Sequence, residues 1–140
     1  MNISTTINTS AVMAALKKVQ PSPQLIKKAL GRAASGHVKD MEKRVDSGVG
    51  LNGRFKPYHP KYAEYRASKG RRTDIVNLQF TGEMLGNVGV KLSSSKAVVG
   101  FSSQKFSDRA LSNQRKRPWF GANDNEEKQI LSRFKREIFL

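Results

Sequence analysis

Between residues 23 and 46 the chain reads PQLIKKALGRAASGHVKDMEKRVD, and apolar residues recur in it at three- and four-residue steps: Ile26, Leu30, Ala33, Ala34, Val38, Met41 and Val45. That period draws a single stripe along an amphipathic helix. At 1.5 Å per residue such a helix is roughly 36 Å long, so the stripe needs much of the remaining chain to cover it. The PSP at 21–23 fixes its start, because proline lacks an amide hydrogen and restricts the residue before it. DSGVGLNG at 46–53, with three glycines, ends it. Lys27, Lys28, Arg32, Lys39 and Lys43 lie largely off the stripe, and Asp40 stands four residues before Arg44, a spacing that permits an ion pair. Alanine and glycine at 31–36 let another backbone come close, and His37 falls near the stripe as a packing residue.

Two later segments supply the cover. In NVGVKLSS, Val88, Val90 and Leu92 alternate with small or charged residues, and in KAVVGFSS, Ala97, Val99 and Phe101 do the same. With SSSK as the turn, they predict an antiparallel hairpin over about 87–102, one face of which must be buried against the long helix. NDNEEKQILSRFKREIFL then carries helix signals: Asn123 or Asp124 as cap, Glu126 or Glu127 three residues on, and Ile130, Leu131, Phe134 and Ile138 as the buried stripe. Acids at its start and Lys135 and Arg136 near its end suit the helix dipole. The fold class is therefore α+β: a long N-terminal helix packed on a small antiparallel sheet, closed by a C-terminal helix at about 124–138.

The connecting segments are less regular. Residues 1–9 are polar and read as a flexible terminus, with residues 10–140 forming one domain, and SAVMAALKKVQ at 10–20 predicts two or three helical turns. RFKPYHPKYAEYRASKG starts extended around two prolines and closes in a short helix at 60–68. IVNLQFTGEML at 75–85 starts as an apolar strand or helix edge and turns at Thr81–Gly82; residues 104–115 are charged and loosely helical.

Composition removes whole classes of function. A chain of 140 residues without cysteine has no disulfide, thiolate zinc site or cysteine nucleophile. Two histidines, His37 and His59, and few paired carboxylates give little material for a metal or acid–base site. His59, between Tyr58 and Pro60, shapes an extended segment. There is no phosphate-cradling glycine loop and no HExxH, so no catalytic, metal-binding or cofactor-binding residue is assigned and the chain is read as a non-enzyme. No apolar run is long enough to span a bilayer, and the first lysines follow the first apolar run, the reverse of a secretory signal. The charge is the outlying property: 26 basic against 11 acidic residues, +15 overall, with each third of the chain net basic. A domain of that sign attracts polyanions, whether nucleic acid or an acidic protein surface.

Two clusters combine aromatics with this charge. Phe55, Tyr58, Tyr62 and Tyr65 lie around the expected short helix, whose spacing sets the tyrosines on a common side; with Phe106 they are candidates for a subunit or partner interface. In RKRPWFGAN at 115–123, Pro118 sets a turn, Trp119 and Phe120 carry large apolar area, and Gly121 frees the backbone ahead of the cap. That order makes Pro118, Trp119, Phe120 and Gly121 a structural anchor for the last helix. Arg71, Arg72, Arg115, Lys116 and Arg117 are the candidates for contact with DNA or an acidic partner.

Four of these stretches, in order, carry a family resemblance: GRFKPYHPKYAEYRASKG at 53–70, VNLQFTGEMLGNVGV at 76–90, KAVVGFSS, and RPWFGANDNEEKQI at 117–130. They resemble the phage virion morphogenesis or tail-completion family, which overlaps with the small neck proteins of tailed phages. That family's pattern runs glycine–aromatic–P-x-x-P-x-Y-A, then L-x-x-T-G-x-L, a strand ending in Val-Gly, and R-P-F-L-G before an acidic-capped helix. The likeness covers about residues 24–138. Where the family carries a Tyr-Ala and a His-x-x-Gly after the second strand, this chain reads QKFSDRALSNQ, so no contact is carried over there. The resemblance implies a structural virion protein at the head–tail junction, assembled in the host cytoplasm. It implies a ring, hexameric or dodecameric, between head-connector or head-closure proteins and tail proteins, with non-specific DNA contact, no membrane and no cofactor. A free-standing basic nucleic-acid-binding protein is the alternative.

Overall fold

A computed structural model describes residues 2–8, 21–78 and 82–139; the helix expected at 10–20 and the turn at Thr81 lie outside these residues. In chain order the described elements are β1 (Ser4–Asn8), α1 (Pro23–Asp46), β2 (Val49–Gly50), β3 (Gly53–Arg54), α2 (Pro60–Ser68), α3 (Glu83–Gly86), β4 (Val88–Leu92), β5 (Lys96–Phe101), α4 (Gln104–Lys116) and α5 (Asp124–Phe139).

The stripe at 23–46 forms the expected helix. Ser22 caps it, its hydroxyl accepting the Leu25 amide at 3.1 Å, and Pro23 opens it with the fixed φ a first helical residue needs. Gly48, at φ 79°, turns the chain out of the other end. Ile26, Ala29, Leu30, Ala33, Ala34, Met41 and Val45 are buried along one face.

That face rests on a three-stranded antiparallel sheet of order β1-β5-β4. β4 and β5 are the expected hairpin, Val90 opposite Val99, with the Ser93 amide donating to the Lys96 carbonyl at its turn. Ala97 and Val99 of the central strand are fully buried. The third strand corrects the reading of residues 1–9 as flexible: Ser4–Asn8 pair with β5, Thr5 opposite Val99 and Ile7 opposite Ala97. Ile3 and Ile7 pack against the core, and the Ile3 amide donates to the buried Ser107 hydroxyl at 3.0 Å. The charged stretch at 104–115 is helical as expected, and forms the continuous helix α4 to Lys116, buried at Ser107 and Ala110.

α5 runs antiparallel to α1, with Arg32 paired to Glu137, Asp40 to Arg133 and Arg44 to Glu126. Gly36 makes room for this crossing: a Cβ there would stand 2.7 Å from the Arg133 side chain. On α5, Phe134 and Ile138 are buried and Ile130 half-buried, but Leu131 is exposed, one helical position beyond the seam. The expected Asp40–Arg44 pair is not made. Asp40 faces Arg133 Nη1 at 2.7 Å, an ion-pair contact off the angle of a hydrogen bond, and Arg44 points inward.

Arg44 is the polar centre of the fold. Its Nε donates to both carboxylate oxygens of Glu126 at 3.1 Å, its Nη1 to the Val49 carbonyl at 3.3 Å, and its Nη2 to the carbonyls of Trp119 and Gly121 at 3.0 and 3.2 Å. Glu126 completes the expected capping box: Asn123 N–H donates to Glu126 Oε1 at 3.0 Å, and Glu126 N–H to Asn123 Oδ1 at 2.8 Å. The anchor RPWFG is held between them. Trp119 is fully buried, its indole N–H donating to the Ala110 carbonyl at 3.3 Å, and its ring meets Phe120 and Phe101 edge-on. Gln114 Oε1 accepts both the Trp119 and Phe120 amides at 2.9 Å, and the Pro118 carbonyl accepts the Leu51 amide. Gly50 is required at this junction, since a Cβ would collide with the Pro118 carbonyl.

Breaking a buried, hydrogen-bonded ion pair from one side leaves the other charge stranded. Arg44→Met is therefore expected to lower unfolding free energy by about 3–5 kcal/mol in urea titrations. Arg44→Lys should recover little of it, because an ammonium cannot span the fork of acceptors. His37 supplies a pH test. Its ring is 1% exposed and neither nitrogen has a hydrogen-bond partner among the described residues. Burial lowers its pKa from 6.5; Arg44 and Arg133 add to this, and Glu126 and Asp40 oppose it. Above pH 6.5 neither state is protonated and the stability is complete; below it the unfolded chain takes up the proton first. Stability should thus fall with pH from 6.5 down to the lowered folded-state pKa, with a slope that His37→Leu removes.

Candidate functional site

The functional surface grows from the segment that the long helix does not bury. Pro60 opens α2, and the His59 Nδ1 caps it by accepting the Lys61 amide at 3.3 Å. Tyr58, four residues before Tyr62, and Tyr65, three after it, come together as the spacing predicts. Tyr58 and Tyr62 meet edge-on at 5.2 Å between ring centroids, and Tyr62 and Tyr65 stack at 6.3 Å. Tyr62 and Tyr65 are 41% and 49% exposed, apolar area that the chain's own core leaves unused. The other two aromatics proposed for this interface are shared with the chain's own core. Phe55 and Phe106 are half-buried and pack against the core, Phe55 beneath Gly50 and Phe106 under Lys105 and Arg109.

Beneath the tyrosines lies Arg66, 2% exposed, which sequence reasoning passed over. Its guanidinium stands 4.7 Å from the Tyr58 ring and 5.9 Å from the Tyr62 ring, and its Nε donates to the Arg72 carbonyl at 2.9 Å. Delocalised charge over aromatic faces is a favourable way to hold a buried cation. Arg66 is one wall of a cleft of about 660 Å³ between α2 and α4. Leu78, Met84 and Leu85 form its floor, and Arg109, Asn113 and Lys116, one face of α4, form the far wall. Leu78 has a left-handed backbone (φ 58°) and Gly82 another (φ 82°), so the floor includes a residue held in an unfavourable conformation. Among the described residues no carboxylate lines the cleft.

The five cations singled out from the sequence take different roles. Arg115 and Lys116 are exposed, and Lys116 lines the cleft. Arg117 is half-buried; it donates to the Lys56 and Pro57 carbonyls at 3.3 Å and lies 5.3 Å from the Tyr58 ring, which fastens the extended segment to α4. Arg72 is exposed but grips Asp74 through two bonds of 3.1 and 3.0 Å, which hold the Asp74 carboxyl below its ordinary pKa. Arg71 is exposed in the same loop, its amide bonded to the Arg66 carbonyl. The signal for the two missed cations was helical spacing: Arg66 follows Tyr62 by four, and Arg109 stands four residues before Asn113 and seven before Lys116.

Among the described residues no three His, Asp or Glu side chains converge as metal ligands, and no helix is long and apolar enough to cross a membrane. In comparisons with known protein families, characterised proteins and solved structures, the chain matches none.

The two aromatic groups differ in their thermodynamic role. Trp119→Ala should cost about 3–5 kcal/mol of stability, as removal of a buried tryptophan does. Tyr62→Ala and Tyr65→Ala should each stay within about 0.5–1 kcal/mol of the parent in the same denaturant titration, as expected of exposed positions.

Proposed function

We propose that this chain is a structural subunit of a tailed-phage virion, assembling into a ring at the head–tail junction that joins the head connector to the tail around the DNA channel. Six-fold order is the first expectation and twelve-fold the second. The observation that carries the reading is the use made of the segment 53–70, with which the family resemblance begins: it forms an arm on which Tyr62 and Tyr65 stack and stay 41% and 49% exposed. A short helix that presents ordered aromatic area without burying it in its own core suits permanent contact with a neighbour. The family's R-P-F-L-G position is occupied here by the pin that fixes α5, which suits a rigid subunit. The charge of +15 suits both a channel for DNA and an acidic neighbouring ring. No step of this function is a chemical reaction, and no cofactor enters it.

A second reading, a free-standing basic nucleic-acid binder, draws on one feature: Lys69 Nζ lies 5.9 Å from the Tyr65 ring, so stacked aromatics and a cation stand together as they do on single-strand platforms. Light scattering on the purified chain and a salt titration of DNA binding separate the two. The junction reading predicts a multimer, or one formed with neighbouring ring proteins, whose DNA binding is weak and erased near physiological salt. A monomer that binds DNA tightly above that salt supports the binder and contradicts the ring.

A further inference from the structure

The cleft between α2 and α4 has a composition that the ring reading does not require. Among the described residues its floor is aliphatic, Leu78, Met84 and Leu85, while Arg109 and Lys116 stand exposed on its far wall. Its volume of about 660 Å³ falls within the ordinary range of ligand pockets. Arg66 and Arg117 lie against the ring of Tyr58, so that ring is covered by the chain's own cations. Tyr62 is the exposed tyrosine on the wall, so a nucleic-acid strand would find one ring to stack on beside the described floor of aliphatic carbon, a sparser platform than successive stacking bases use. A polypeptide meets both features at once: an apolar side chain fills the floor, where the thioether of Met84 adapts to its shape, and carboxylates beside it reach the cations.

We propose that this cleft is a docking site for an acidic peptide segment of a neighbouring protein, with an apolar anchor residue seated on Leu78, Met84 and Leu85 and its flanking carboxylates on Arg109 and Lys116. The proposal deepens the junction reading and rests on it for the origin of the partner; the chemistry of the ligand comes from the cleft alone. It assigns the basic surface a division of labour, in which Arg109 and Lys116 meet protein. It also gives a reason for an arginine packed beneath exposed tyrosines: Arg66 holds the α2 wall against the loop at Arg72 and keeps the cleft open.

The test uses the full chain and a fluorescein-labelled, amidated peptide Gly-Glu-Asp-Leu-Phe-Glu-Asp-Gly. The same peptide with Gly-Gly in place of Leu-Phe, and a ten-nucleotide oligothymidylate, serve as controls. Fluorescence anisotropy should show saturable binding at least about tenfold tighter than either control. Amide shifts should move at Tyr62, Arg66, Asn113 and Lys116. Arg109→Glu combined with Lys116→Glu, both at exposed positions, should lose about tenfold or more while melting with the parent. Equal binding of the Gly-Gly peptide would reduce the site to bulk charge and overturn the proposal. So would tighter binding of the oligonucleotide, shifts that map elsewhere, or no saturable binding at all. The outcome is separable from that of the ring: a monomer that binds DNA tightly above physiological salt and still takes the peptide contradicts only the ring, and a multimer that refuses the peptide contradicts only the cleft.

Discussion

The guanidinium of Arg44 holds together parts of the chain that otherwise share little. It projects from the long helix into the space between β2, the RPWFG turn and the start of α5, and its donors reach one carboxylate and three backbone carbonyls. One of those carbonyls lies on the short strand β2 and the other two in the RPWFG turn, and buried polar groups of that kind need a donor. Apolar packing alone would place Trp119 inside but would leave the carbonyls around it unsatisfied. One planar, always-charged fork answers the carbonyls of Val49, Trp119 and Gly121 and fixes the carboxylate of the capping box as well. The last helix is thereby positioned at its first turn, from which the Asp40–Arg133 and Arg32–Glu137 pairs extend the same seam.

A body closed in this way confines function to its outside. Its described buried polar residues are His37, Arg66, Asn77, Ser107 and Glu126, of which Glu126 serves the Arg44 node and Ser107 anchors the start of β1. Among the described residues the tyrosine arm, the basic faces of α4 and the cleft between them lie open to a partner, as do the exposed Leu92, Leu131 and Phe139. Arm and cleft are one device, since Arg66 supports the tyrosines from below and walls the cleft from the side. The positive charge is then a feature with distinct parts. Some cations hold the fold, as Arg44 and Arg117 do, and others, such as Arg109 and Lys116, are presented outward.

What the sequence discloses here is what is local. The stripe of α1, the alternation of the hairpin, the capping box of α5 and the three- and four-residue spacing of the tyrosines all depend on neighbours within a few residues, and each appears in the structure. The Arg44–Glu126 pair spans 82 residues and is invisible to such patterns. Asp40, four residues before Arg44, offered a nearer partner of the right sign, yet the helix directs the two side chains to different neighbours. β1 was missed for another reason: Ile3, Thr5 and Ile7 alternate as a strand does, but the run is short and polar, and its partner β5 lies about ninety residues away. The cleft was legible only in halves, because its walls lie on helices some forty residues apart in the sequence.

Amide hydrogen exchange, followed residue by residue, tests most directly whether the Arg44 node makes the chain one cooperative unit. The amides of Trp119, Phe120, Asn123 and Glu126 lie in or beside irregular turns and should nonetheless open only with the buried amides of α1, at the same free energy as global unfolding. Exchange of these four through a local opening at least about 2 kcal/mol cheaper than that of α1 would show that the turn and the last helix detach on their own, and that the node does not govern the fold.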